Sequence, residues 1–558
     1  MLRLARNFLT ALAVIFPATV MGQPVINAIA NNFSGTLPGL PNYGIAPASL
    51  FVIYGSGLCD QASLVTQSSS VKGGLPTTLN HLTLSVTINN ITTTPAIYYA
   101  IPTQVAAVLP STTPVGTGVI KVNYNGAITT APILVTKSAF GMLTEDSGGG
   151  PVKATDLEYQ VFSPSASAAP GQTIVLWGSG LGADTANDDK TYPMKQDNLN
   201  DATVYIGGIQ AAVGYAGRSQ FPGVDQINVT VPPLGATTTS GFQGGCANSV
   251  VVVANGLSSN FGTLPVNPGG GLCRDPEYGT NGNVLGFGAD SNITVGGLSL
   301  FQVSQPTAPL PAPQKYETYD YAAGNFFATT GADYFGASSY SYGSCVVYNQ
   351  PSTSSSAARK QGRIKGFAPD LAGASAGSSI AFTGGSLSVN LPEAATLGNG
   401  VGQYYAQLPA AITAGTAYTF TAPGGANIGP FAVTVTWPGP LNWTNESSIT
   451  AIDGSAGQLI TWSGGAPNSY VEIYGYVSAP AVLVDVVFTC IAPVDDEQFM
   501  IPSYVLETLP SGNGLLEVED ITSPTTFTAR GLNYGYTTVG SVFTANVTYN
   551  LGQTSTGN

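Results

Sequence analysis

Charge is scarce in this chain. Charged residues make up 8% of its 558 positions, against about 25% in an ordinary soluble protein. That scarcity excludes helical bundles and coiled coils, whose surfaces are rich in Glu, Lys and Arg. Histidine is nearly absent: the single one, His81, rules out any mechanism or metal site that needs two imidazoles, HExxH zinc sites included. The five cysteines, Cys59, Cys246, Cys273, Cys345 and Cys490, show no CxxC spacing, so zinc-ribbon and thioredoxin-like motifs find no support. After residue 22 no stretch is continuously apolar for the roughly 20 residues of a membrane span, and no convincing 3.6-residue periodicity is present.

Glycine and proline are plentiful instead, at 69 and 39 residues, and hydrophobic residues reach 43%, too many for wholesale disorder. At roughly 150 residues per domain the length predicts several domains. Residues 1–22 carry Arg3 and Arg6, an apolar run from Phe8 to Phe16, and Val20-Met21-Gly22 before Gln23, the pattern of a signal peptide. Its removal leaves 14 basic residues against 30 acidic, a net charge of −16, so nucleic acid and anionic lipid are poor partners. The expected mature chain is exported and has no membrane span. Arg359, Lys360, Arg363 and Lys365 form the one basic cluster, after a Ser-rich stretch, and read as a solvated loop that proteases would cut first.

An internal repeat organises the first half. Ala46-Pro47 followed by Leu50-Phe51-Val52-Ile53-Tyr54-Gly55-Ser56-Gly57-Leu58 returns as Ala169-Pro170 followed by Thr173-Ile174-Val175-Leu176-Trp177-Gly178-Ser179-Gly180-Leu181. Further matches keep their order, ending in Val119-Ile120-Lys121-Val122 against Val250-Val251-Val252-Val253. Each copy offers short β-branched and aromatic runs between turn residues, the signature of a β-sandwich. The expected architecture is all-β: tandem immunoglobulin-like sandwiches at 23–140, 150–273, 274–438 and 439–558. Residues 267–370 carry the weakest pattern. Cys246 and Cys273 enclose a short Gly- and Pro-rich segment and are the preferred disulfide; Cys345 with Cys490 is a second pairing, leaving Cys59 odd.

Val25-Ile26-Asn27-Ala28, Ile45-Ala46-Pro47-Ala48-Ser49, Gly55-Ser56-Gly57-Leu58 and Leu75-Pro76-Thr77-Thr78-Leu79 resemble the Ig-like, IPT/TIG-related domains of uncharacterised secreted proteins of Solibacter-type acidobacteria. Tyr215-Ala216-Gly217-Arg218-Ser219 and Gly223-Val224-Asp225-Gln226-Ile227-Asn228-Val229-Thr230-Val231-Pro232 are similar to the most recognisable stretch of that module. The resemblance covers residues 24–266 and implies secretion and a sandwich fold. It assigns no catalytic residue.

Candidate chemistry is sparse. Gly373-Ala374-Ser375-Ala376-Gly377 matches the GxSxG elbow, but no α/β pattern surrounds it, so a Gly/Ser loop is the expectation. Asp184, Asn187, Asp188 and Asp189 cluster oxygen ligands in one loop, which suits Ca²⁺ but also describes an ordinary acidic loop; no other cofactor is expected. Glu517 and Glu519 lie two apart on one strand face, spacing that two glycosidase carboxylates could share and that a solvated strand shows equally. The aromatics Tyr316, Tyr319, Tyr321, Tyr340 and Tyr342 offer rings for stacking on sugars or for anchoring a protein. The expected function is a noncatalytic, secreted or cell-surface Ig-like protein serving adhesion, extracellular structure or partner binding. The alternative is a carbohydrate-binding or accessory protein of an extracellular carbohydrate-active system. Partners would be an extracellular protein or polysaccharide.

Overall fold

The computed structural model describes residues 23–60, 74–186, 189–199, 202–235, 243–274, 292–308, 310, 315–330, 343–351, 372–393, 401–480, 483–522 and 524–550. The signal-peptide segment and the basic cluster at 359–365 lie outside these residues. The described chain is a series of β-sandwiches, and its helical turns are short.

In the first sandwich one sheet runs Val25–Asn31, Leu50–Ser56, Gln104–Val108, Ala96–Ile101 in spatial order. The facing sheet runs Thr78–Leu79, Leu82–Ile88, Gly116–Tyr124, Ala127–Val135, with Ile91–Thr93 alongside Leu82–Ile88. Leu82, Leu84, Val86 and Ile88 are buried while the threonines and serine between them are half-exposed, the period-2 pattern of a strand with one face on a core. Those four pack with Phe51, Ile53, Val105 and Ala107. Each such buried side chain stabilises the fold by about 1.5–3 kcal/mol.

The second sandwich repeats this order: Gly141–Met142, Thr173–Ser179, Asp225–Thr230 and Ile209–Arg218 are followed by Ala202–Ile206 and Gly245–Ala254. A bulge between Ile97 and Tyr99 in the first copy recurs between Val213 and Tyr215 in the second. The copies differ at Pro95, which lacks a donor N–H and separates Ile91–Thr93 from Ala96–Ile101. In the second copy the corresponding strand is continuous and pairs with both sheets. The repeated Gly-Ser-Gly has a steric cause. A Cβ on Gly55 would lie 2.1 Å from Val25 O, and one on Gly178 would lie 2.2 Å from the Phe140 ring. Gly57 and Gly180 take positive φ, 62° and 113°, which favours glycine.

From residue 292 onward the chain is built on one 11-stranded sheet. From one edge it runs Ser344–Pro351, Val484–Pro493, Tyr470–Ala479, Gly512–Ile521, Tyr534–Asn550, Asn292–Pro306, Tyr316–Thr330. Gln403–Gln407 and Ala372–Gly373 both pair with the last of these. Two smaller sheets cover one face. Ser379–Gly384, Leu387–Pro392, Ala417–Ala422 and Phe431–Thr436 enclose a core with Leu298, Leu300, Phe326, Phe382, Phe420 and Trp437. Leu441–Trp443, Gln458–Gly464 and Gln498–Ile501 enclose another with Trp443, Trp462, Ile473, Phe488 and Val518.

The expected division at residue 438 therefore needs correcting. Asn292–Pro306 pairs in parallel with Tyr534–Asn550, from Val295↔Tyr534 to Ser304↔Phe543, so one sheet draws strands from both sides of that boundary. The weakly patterned 267–370 region supplies two of its long strands.

Two disulfides are present, Cys246–Cys273 and Cys345–Cys490, and Cys59 is buried and free of a disulfide. Cys345 and Cys490 stand directly opposite each other on adjacent strands, with Cα atoms 4.0 Å apart.

Candidate binding face

Residues directly opposite in neighbouring strands share a face of a sheet. Register therefore maps the face of the large sheet that the two small sheets leave uncovered. One row runs Glu472, Glu519, Val542, Val303, Tyr319, and the next holds Tyr474, Glu517 and Thr544. A third brings Phe301 opposite Tyr321 and Tyr321 opposite Gln407.

The aromatic members form a strip. Phe301 and Tyr321 stack with ring centroids 5.8 Å apart, and Tyr321 meets Tyr405 at 5.6 Å with the rings tilted by 32°. Tyr405 is 47% exposed, so the strip is anchored at Phe301, which is buried, and opens toward solvent at Tyr405. Tyr319 packs against Phe301, Val303 and Val542. Burial raises the phenol pKa values of Tyr319 and Tyr321, so both hydroxyls stay protonated and can donate.

Carboxylates flank the strip, and the strands of the large sheet contain no Lys or Arg. Glu317 accepts a hydrogen bond from Gln305 Nε2 at 2.8 Å. Glu517 accepts from Thr544 Oγ1 at 3.2 Å and is raised by burial. Glu472 is pushed up to about 7 by burial and by the charge of Glu517. The expectation of a solvated strand for Glu517 and Glu519 is corrected here: Gly512–Ile521 is an interior strand of the sheet and both side chains are half-buried.

The structure divides the tyrosines singled out in the sequence. Tyr319 and Tyr321 share the uncovered face, whereas strand alternation turns Tyr316 to the other face, where its hydroxyl donates to the Glu446 carboxylate. Tyr340 and Tyr342 lie outside the described residues. Sequence reasoning missed Tyr405, Tyr474 and Glu472. The alternation of Tyr470, Glu472, Tyr474 and Tyr476 was visible, but its juxtaposition with Tyr319 depends on long-range register.

Among the described residues the remaining candidates gather no site. Asp189 accepts from Ser111 N at 2.7 Å and Ser111 Oγ at 2.6 Å, and Asp184 N donates to the same Oγ; Asn187 and Asp188 lie outside the described residues. Among the described residues no cluster of three or more His, Cys, Asp or Glu is placed to hold a metal. Gly373–Gly377 connects strand to strand and is held by Tyr404, whose hydroxyl donates to Gly377 O at 2.7 Å and accepts from Ala376 N. His81 sits in a turn at positive φ.

These features define a tandem Ig-like β-sandwich protein with an aromatic, acid-flanked sheet face. No family model and no curated protein matches the chain. Among solved structures it is similar to the SGBP-B of the Bacteroides ovatus mixed-linkage glucan utilization locus in complex with a mixed-linkage heptasaccharide, at 13% identity, over 50% of this chain and 64% of that one, TM-score 0.19. It is similar to SGBP-B from a complex xyloglucan utilization locus in Bacteroides uniformis, at 10% identity, over 74% and 96%, TM-score 0.18. The FN1–FN3 domains of chicken CNTN1 match at 7% identity, over 72% and 99%, TM-score 0.15. At these values the similarities carry no argument about function. The first of these matches spans less than two thirds of its counterpart.

Proposed function

We propose that this is a noncatalytic, extracellular or cell-surface protein that binds polysaccharide through the uncovered face of its large sheet. The observation that carries this reading is the Phe301–Tyr321–Tyr405 strip flanked by Glu317 and Glu519. Aromatic faces supply large contact area at little entropic cost, and carboxylates accept hydrogen bonds from paired hydroxyl groups. The absence of Lys and Arg from these strands favours an uncharged glycan over an anionic one. Disulfides persist in oxidising compartments, and two in one chain support an extracytoplasmic location. The reading needs no calcium at the 184–189 loop. Retention of the purified chain on insoluble neutral polysaccharides, with and without chelator, tests it: retention unaffected by chelation supports it, and passage through every matrix rejects it.

A further inference from the structure

A second feature lies at the opposite edge of the large sheet from the Phe301–Tyr321–Tyr405 strip. The first sandwich, the second sandwich and the edge of the large sheet meet around a cleft of about 570 Å³, within the range of small-ligand sites. Asn27, Tyr54 and Gln104 contribute from the first sandwich, Asp146 from the segment leading into the second, and Tyr348 and Asn349 from the third unit.

The walls are fixed to one another by hydrogen bonds that cross the unit boundaries. Asn31 Nδ2 donates to Ala139 O at 3.0 Å and Ser179 O at 2.8 Å, while its Oδ1 accepts from Phe33 N and Ser34 N. Ser249 Oγ donates to Cys345 O at 2.6 Å, and Ser258 Oγ to Tyr504 O at 2.9 Å. Tyr205 and Tyr504 stack across the same junction, with centroids 4.4 Å apart. The chain segments forming the floor approach too closely for a side chain: a Cβ on Gly148 would lie 2.2 Å from Ser34 O. A cleft held in this way is preformed, which lowers the ordering cost of binding.

Its lining selects a ligand class. Hydroxyl and amide side chains are interspersed with apolar ones, Lys and Arg are absent and Asp146 is the one carboxylate among the lining residues. The side-chain amides of Asn27 and Asn349 make no hydrogen bond among the described residues. Among the described residues Ser344–Pro351 is an edge strand of the large sheet, paired with Val484–Pro493. We infer that this three-unit cleft is a separate binding site for a short uncharged oligosaccharide, with Tyr54 and Tyr348 as the ring surfaces and Asn27 and Asn349 as the amides that read its hydroxyl groups. The site goes beyond the polysaccharide reading of the sheet face and stands or falls without it.

The test is calorimetric titration of the full chain with cellotriose, mannotriose and xylotriose, alongside hydrogen-exchange mapping. The expected result is saturable binding of at least one trisaccharide, weakened tenfold or more by Asn27→Ala or Asn349→Ala and abolished by Asn27→Trp, which fills the cleft from an exposed strand position. Exchange protection is expected at 347–349, and Tyr316→Ala, on the opposite face of the large sheet from the aromatic strip, is expected to leave this binding unchanged. Absence of binding by all three sugars overturns the inference, as does binding that is insensitive to the Asn27 variants or lost in Tyr316→Ala. Protection of 347–349 by an extended peptide but by none of the sugars also overturns it.

Discussion

Arg218 and Asp225 face each other on adjacent strands of the second sandwich as a fully buried ion pair. Asp225 Oδ2 also accepts from Gly180 N at 2.7 Å and Leu181 N at 2.8 Å, and the Arg218 guanidinium donates to Gly182 O. The pair therefore clamps the Gly178-Ser179-Gly180-Leu181 turn. Among the described residues the first copy holds its equivalent turn through backbone bonds: Leu58 N donates to Pro102 O at 3.1 Å and Gly55 N to Thr103 O at 3.0 Å.

That contrast predicts unequal sensitivity. Asp225→Asn leaves a buried guanidinium without its counter-charge and is expected to cost about 3–5 kcal/mol. Thr103→Ala, at the matching position of the first copy, removes no side chain from the turn's hydrogen bonds and is expected to change stability by less than about 0.5 kcal/mol. Urea unfolding of the two variants checks both values; equal losses would contradict the assignment of the clamp to the side chains.

The large sheet is predicted to lose stability as pH rises from 5 to 8. Glu472 is pushed up to about 7 and Asp520 to about 6, both chiefly by burial. Below the ordinary carboxylate range both groups are neutral in folded and unfolded chains, and the full stability is present. As pH rises, the unfolded chain ionises first, and stability falls until the folded groups ionise too. Glu472 contributes on the order of 1–3 kcal/mol to this slope. Thermal melts at pH 5 and pH 8 are expected to show the higher Tm at pH 5, with a smaller difference in Glu472→Gln. A Tm that rises toward pH 8 through this range would contradict the burial of these carboxyls.

The Cys345–Cys490 disulfide closes a loop that contains Arg359, Lys360, Arg363 and Lys365. A tryptic cut at any of the four is predicted to leave the chain at full size on a nonreducing gel and to release two fragments on reduction. Fragments that separate without reductant would contradict the pairing of Cys345 with Cys490. Replacing both cysteines by Ala is expected to cost on the order of 4–5 kcal/mol, because the bond spans 145 residues.

The sandwiches were legible in the sequence because each strand carries its own burial code. Leu82–Ile88 and Phe431–Thr436 alternate buried and exposed residues throughout, and the repeated Gly-Ser-Gly marks a turn whose first glycine has no room for a Cβ. The short Gly- and Pro-rich segment between Cys246 and Cys273 pointed to their disulfide, whereas nothing local pointed to Cys345–Cys490, which depends on two strands paired across 145 residues. The merged C-terminal sheet was not legible, because nothing local in Asn292–Pro306 specifies a parallel partner more than two hundred residues away. The binding face depends on that pairing. Tyr319 and Tyr321 were visible as rings and Glu517 and Glu519 as acids, but only the register Val303↔Val542 and Val542↔Glu519 puts them on one surface. Tyr316 was grouped with them by proximity in sequence and separated from them by strand parity.

The central claim is that the Tyr321–Tyr405 strip binds glycan. The most direct measurement is the affinity of the full chain for soluble neutral polysaccharides, compared among Tyr321→Ala, Tyr405→Ala and the opposite-face control Tyr316→Ala. Loss of one stacking ring is expected to weaken binding about five- to a hundredfold, corresponding to ~1–3 kcal/mol by analogy with ring stacking on aromatic side chains, while Tyr316→Ala binds like the parent. Equal affinity in all four proteins, or a loss confined to Tyr316→Ala, would contradict the account.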